Sequence, residues 1–246
     1  MIRTRIAMLA VATALVLAAS GAASADLQPS ARLVMVTAVV GLLAPLFWPG
    51  NAATLGLTAT RVALWSLGIA VLTLIVISIA RGAGLPLPRA ASACAVLLLI
   101  LVLTHAFAAG LEALLQEAAE SSDGAREMAT WTVFAVLVLL GSAPLWLGPM
   151  AELLANGDRA VLDAVIGVSP LTHLAVASDN DLLRNQWFYQ HSNLAALQWS
   201  YPGLGTIILC YLTAILALAI APIAVRVARA AAERTHSTHP TSEHSS

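Results

Sequence analysis

Lysine is missing from the sequence altogether, so arginine supplies all twelve basic side chains, and charged residues make up only 10% of the 246 positions. An ordinary soluble domain devotes about a quarter of its residues to charge, and this composition excludes one. Charge of either sign is scarce, and the formal net charge of −1 leaves no basic footprint for nucleic acid. Cysteine is nearly absent. Cys94 and Cys210 stand far apart in apolar runs, without the spacing of a zinc site, a redox pair or a disulfide framework. No G-x-x-x-x-G-K-[ST] phosphate loop and no H-E-x-x-H metal motif occurs, so a nucleotide-driven activity needs a separate ATPase, and neither cofactor nor catalytic centre is expected.

What the sequence has in abundance is apolar length, with 59% hydrophobic residues. A helix rising about 1.5 Å per residue needs roughly 20 residues to cross about 30 Å of hydrocarbon. Five charge-free stretches meet that requirement, at residues 6–25, 62–80, 90–111, 128–151 and 204–225. They lack the alternation of a membrane barrel, and a lone strand would leave its backbone groups unpaired in lipid. A sixth stretch, 33–48, is shorter and carries Pro45, with Pro49 and Gly50 beyond it. It reads as a span or as a re-entrant segment. The expected fold is therefore all-α, a polytopic transmembrane helix bundle of five or six spans.

The amino terminus admits two readings. Arg3 and Arg5 precede an apolar run that ends at Ala23-Ser24-Ala25, the pattern of a cleaved signal peptide, and the same residues 1–25 also suit an uncleaved first span. Both put Asp26 outside. With six crossings, the cytoplasmic side receives Arg3, Arg5, Arg61, Arg126, Arg226, Arg229 and Arg234, against Arg32, Arg81 and Arg89 outside. That bias orients the chain in an inner (cytoplasmic) membrane as a multi-pass protein. The expected organisation is a bundle over 26–148, interfacial helices over 149–202, a last span over 203–228 and a disordered polar tail over 229–246. The tail histidines His236, His239 and His244 offer at most a weak metal site.

Two connections stand out. Leu111, Leu114, Leu115 and Ala118 repeat at helical spacing around Glu112, Glu117 and Glu120, predicting a short amphipathic helix that ends at the turn cluster 121–124. In the connection 149–202, Asp158 is placed to cap a helix, and Ser169-Pro170 restarts another with serine at the cap and proline at the first helical position. Five of the thirteen aromatics then fall within 187–201: Trp187, Phe188, Tyr189, Trp199 and Tyr201. Rings of this kind are stabilised at the headgroup level, which predicts one or two helices lying on the non-cytoplasmic membrane surface. His173 and His191 fall in the same region, where a solvated or capping role is the ordinary one.

His105 is the one strongly polar titratable side chain deep in a long apolar run, and it is the candidate for a substrate pathway. Its structural alternative is an imidazole bonded to a neighbouring helix carbonyl. An intramembrane enzyme finds no support, because no nucleophile or carboxylate partner for His105 is evident in the sequence.

Six spans in about 250 residues, with Val168-Ser169-Pro170-Leu171-Thr172-His173-Leu174 followed by Arg184 in the long excursion before the last span, resemble the membrane subunit of type-2 ABC exporters. The resemblance covers about residues 130–225. It implies helices that open with a small/polar-Pro-Leu turn and dip into the outer leaflet, a separate ATPase partner, and work as a dimer. The connection 49–61 departs from it, being short and poorly charged for a coupling helix. The competing expectation is a non-transporting structural or assembly subunit of a larger membrane complex.

Overall fold

The computed structural model describes residues 29–80, 86–116, 121–146, 159–181 and 201–237, and all regular structure among them is helical. In chain order the elements are α1 (Pro29–Leu43), a 3-10 turn (Ala44–Phe47), α2 (Leu55–Ala80), α3 (Leu87–Leu115), α4 (Ser122–Trp146), α5 (Arg159–Val168), α6 (Pro170–Ala177) and α7 (Leu204–Ser237). Among the described residues, four stretches are long and apolar enough to cross a membrane: Ser30–Phe47, Leu55–Ser78, Leu87–Leu115 and Ser122–Pro144. A shorter apolar stretch, Leu204–Ile220, begins α7.

Helix boundaries differ from the apolar runs for physical reasons. A charge-free run stops at the first arginine or glutamate, whereas a helix continues as long as its backbone bonds are satisfied. So α2 starts before Arg61, and α3 takes in Arg89 at one end and Glu112 at the other. The separate amphipathic helix expected around Glu112 is corrected accordingly: Leu111 to Leu115 form the last turn of α3, and 117–120 lie outside the described residues. At α1 the cause is Pro45, which cannot donate to a helical carbonyl and clashes with the preceding turn. The α-helix ends at Leu43, and Trp48 N–H bonds Pro45 O in the 3-10 turn. α7 continues through Ser237, so the first part of the expected polar tail is helical, in keeping with the alanine-rich sequence there.

α3 is the central strut, packed by α1, α2, α4, α6 and α7. Its buried residues recur at helical spacing, and small ones at Ala90, Ala93, Ala108 and Ala109 let neighbouring backbones approach. One core cluster joins Leu33, Val36, Leu97, Ile100, Leu174 and Ile207, and a second joins Trp48, Val62, Ala108, Val133 and Leu137. The outside is apolar as well. Leu64, Leu67, Val71 and Ile75 form an exposed stripe along α2, and Leu209, Leu212, Leu216 and Ile220 stand exposed on α7. Such faces suit hydrocarbon rather than water, and this is a helical membrane protein.

Polar contacts define the two ends of the bundle. At one end, Asn180 Nδ2 donates to Ser30 Oγ (3.2 Å), Arg89 pairs with Asp179, and Tyr201 donates to Asp181 Oδ1 (2.8 Å). At the other end, Trp48, Asn51 and Arg61 gather around the end of α3, with Arg126 of α4 beside Gly50. The long helices therefore alternate in direction from α1 to α4.

Candidate functional site

Two buried polar assemblies and one groove organise the bundle. The first assembly is built on α3. His105 has no exposed surface, and its ring stacks on Trp48 with centroids 5.5 Å apart and planes at 25°. Nε2 lies 3.4 Å from Ala44 O, at the start of the 3-10 turn where Pro45 ends α1. A carbonyl only accepts, so the proton sits on Nε2, and Nδ1 accepts from the Ser66 hydroxyl at 2.9 Å. The imidazole is thus bonded to a neighbouring helix carbonyl, the structural alternative.

Two turns further along α3, Glu112 is only 4% exposed. Its Oε2 accepts from Trp48 Nε1 at 2.9 Å, and the backbone N–H of Asn51 reaches both carboxyl oxygens at 3.1 and 3.2 Å. Asn51 Nδ2 donates to Ala109 O (2.9 Å), while Arg61 Nη1 donates to Gly50 O (2.8 Å) and Asn51 O (3.1 Å). Gly50 has φ +89°, and a β-carbon there would meet Arg126 Cδ at 3.0 Å and Glu112 Oε1 at 3.4 Å. Only glycine fits where the chain turns this close to two charged side chains.

Ser66 and His105 invite comparison with a nucleophile and its base. Neither has exposed surface, and the Glu112 carboxyl is engaged with Trp48 and Asn51. The arrangement ties α1, α2 and α3 together.

The second assembly is the α5–α6 unit. A single residue, Ser169, joins the two helices, with Pro170 at the first helical position as expected. The expectation that Ser169 caps α6 is corrected: it occupies the cap position by backbone, but its hydroxyl makes no capping bond and is buried without a partner, as are those of Thr172 and Ser178. His173 is likewise buried, not solvated, because α6 packs on α1, α3, α4 and α7. Its Nε2 donates to Gly167 O (2.9 Å), which leaves Nδ1 to accept from Tyr211 OH (2.9 Å) of α7. Burial pushes the His173 pKa below its ordinary value, against a smaller upward pull from the Gly167 bond.

Depth follows from the neighbours. Tyr211 lies seven residues into α7, about 10 Å along its axis. Pro170 and Leu171 share a groove with Ile100, near the middle of α3. α6 then ends at the Ser30 end of the bundle, where Ser92 Oγ donates to Ala177 O. Its last turn is a Schellman motif: Asn180 N–H bonds Ala175 O, Asp179 N–H bonds Val176 O, and Asp179 takes the left-handed φ of +52° usual for glycine. α6 therefore runs from the middle of the bundle to its Ser30 end. Helices lying on the membrane surface were expected; what the structure shows of α6 is that Thr172 to Ala175 and Ala177 are buried against the bundle.

No family model, curated protein or solved structure matches this chain.

The groove runs between α1 and α4, with Gly41, Ile100, Leu137 and Leu174 buried at its floor and Val138 exposed at its rim. Its volume is about 240 Å³. Of the residues singled out from sequence, the structure brings Ser169, Pro170 and His173 together at the hairpin joint. His105 sits apart from them in the other assembly, and Tyr201 hydrogen-bonds Asp181 at the Ser30 end. Arg184, Trp187, Phe188, Tyr189 and Trp199 lie outside the described residues. Among the described residues, no group of three histidine, cysteine or acidic side chains is placed to hold a metal ion. Sequence reasoning missed Ser66, Trp48, Glu112 and Tyr211. Glu112 had a signal, since it stands seven residues after His105 on one face of α3, whereas the other three are revealed only by contacts between helices.

Proposed function

We propose that this chain is a permease-like membrane subunit of an ABC-type export system, driven by a separate ATPase and working as a dimer in the inner membrane. The observation that carries the reading is the α5–α6 helix pair, joined at Ser169-Pro170-Leu171, with α6 packed inside the bundle. A helical hairpin of this kind beside the last long helix is what the resemblance to type-2 ABC exporters implies. The arginines support its placement on the non-cytoplasmic side, with the Glu112 end of the bundle, Arg61, Arg126 and the arginines of α7 on the cytoplasmic side. Low intramembrane charge favours a hydrophobic or amphipathic substrate over an ion-coupled one.

The test is affinity purification in mild detergent followed by identification of associated proteins. An ATPase recovered in stoichiometric amount supports the export reading. Recovery of envelope or redox proteins without any ATPase would overturn it. The second reading, a non-transporting assembly subunit, draws on one observation: Ser66, His105, Trp48 and Glu112 form a sealed lock with no opening, the construction of a rigid anchor.

A further inference from the structure

We propose that the groove between α1 and α4 is a binding site for one acyl chain of a bilayer lipid. The inference rests on the membrane reading and deepens the export proposal, for which it names the substrate class: an amphiphile carrying an acyl chain, taken sideways from the bilayer. Three observations carry it.

The first is chemistry. The lining comes from α1, α3, α4 and α6 and is aliphatic, glycine or proline throughout except for Ser142. Ser142 carries the only side-chain polar atom in that set, and its hydroxyl already donates to Val138 O at 2.6 Å. Nothing in the lining recognises a polar ligand, and an apolar space of this kind does not hold water.

The second is position and shape. The floor residue Ile100 lies thirteen residues into α3, about 20 Å along it, and Leu137 lies fifteen residues into α4, about 22 Å along it. That is the acyl region of a hydrocarbon layer about 30 Å thick. The rim residues Ala38, Val39, Leu42, Ser142 and Leu171 are half-buried and Val138 is exposed, so the groove opens sideways into that layer. At about 240 Å³ it is smaller than the roughly 300–1,000 Å³ of sites for compact ligands and suits a slim chain.

The third is the role of the glycines. A β-carbon on Gly41 would meet Leu97 Cδ1 at 3.2 Å, so this glycine lets α1 approach α3. A β-carbon on Gly141 would meet nothing within 4 Å. Gly141 supports no close helix contact, and its missing side chain leaves the groove open. Roofing by Pro170 and Leu171 then places the chain directly beneath the hairpin joint.

The experiment uses the purified full chain, without any ATPase, in phosphatidylcholine vesicles that include phosphatidylcholine bearing a diazirine at mid-acyl chain. After photolysis, crosslinked residues are mapped by mass spectrometry. Crosslinks at 38–42, 137–142 and 170–174 are expected to exceed those on the Leu64–Leu67 stripe of α2 at least threefold. Gly141→Leu should lower the groove crosslinks at least fivefold, with the α2 crosslinks and the thermal midpoint unchanged. Groove labelling no higher than the α2 stripe would overturn the site, as would labelling that persists in folded Gly141→Leu. Should Gly141→Leu fold poorly, Val138→Trp at the exposed rim covers the mouth and must produce the same loss. Because no ATPase is present, failure here leaves the export reading intact, and failure to recover an ATPase from cells leaves this site intact.

Discussion

Replacing Glu112 by leucine should cost far more than replacing it by glutamine, and the difference follows from the contacts. The leucine variant withdraws the acceptor for Trp48 Nε1, in a residue with no exposed surface, and for the half-buried Asn51 N–H. Removing the partner of a buried donor costs about 1–3 kcal/mol, and partial access of water to Asn51 places the total near 2–4 kcal/mol. Glutamine keeps an oxygen at the Oε2 position, within 2.9 Å of Trp48 Nε1 and 3.1 Å of Asn51 N, so its cost stays below about 1 kcal/mol. For a chain of this size, about 2–4 kcal/mol lowers the thermal midpoint by roughly 5–15 °C. The assay is thermal unfolding of both variants in one detergent, followed by tryptophan fluorescence, with the folded yield recorded. Equal midpoints for Glu112→Leu and Glu112→Gln would refute the reasoning, because the anchoring of the 48–51 turn on α3 would then carry no energy.

Three further outcomes follow from the same assemblies. His105→Phe keeps the ring on Trp48 but removes both imidazole hydrogen bonds, to Ala44 O and from Ser66, while Ser66 can bond its own helix as Thr73 does with Ile69 O; a loss of about 1–2 kcal/mol in thermal or denaturant unfolding is expected. Gly50→Ala must adopt φ near +89° and push Arg126 aside, so about 1–3 kcal/mol should be lost in the same unfolding measurement. Burial disfavours charged His173 in the folded protein, so the unfolded chain binds more protons as pH falls below about 6.5, and stability should decline there and be fully present above it. A His173→Gln variant should flatten that decline relative to the unaltered protein, as read from thermal midpoints between pH 7.5 and 5.

The membrane class and the long helices were legible because lipid imposes a length and a composition on anything that crosses it. Their ends were not, since Arg61, Arg89 and Glu112 interrupt an apolar run without interrupting a helix. The Ser169-Pro170 joint was legible as a helix start, because proline fits the first turn. That α6 packs inside the bundle was harder to see: Thr172, His173 and Ser178 look like surface residues until α1, α3 and α7 close around them. His105 was visible as an anomaly in an apolar run, but its partners come from other helices, Ser66 from α2 and Ala44 from the break at Pro45. In the sequence Glu112 belongs to the polar face of a short amphipathic helix, because a carboxyl at the end of an apolar run normally marks the water boundary. Trp48, sixty-four residues earlier, is what makes its burial possible.

The export reading stands on α5–α6 entering the bundle from the non-cytoplasmic side, and cysteine accessibility tests this directly. In a background with Cys94→Ala and Cys210→Ala, single cysteines are placed by Asp181→Cys at the Ser30 end, Ser122→Cys at the Glu112 end and Ser169→Cys at the buried joint. A membrane-impermeant thiol reagent applied to intact cells should label position 181, reach position 122 only after the membrane is opened, and leave position 169 unmodified until the protein is denatured. Labelling of position 122 in intact cells with 181 protected, or of position 169 as readily as 181, would contradict the re-entrant hairpin and the export function built on it.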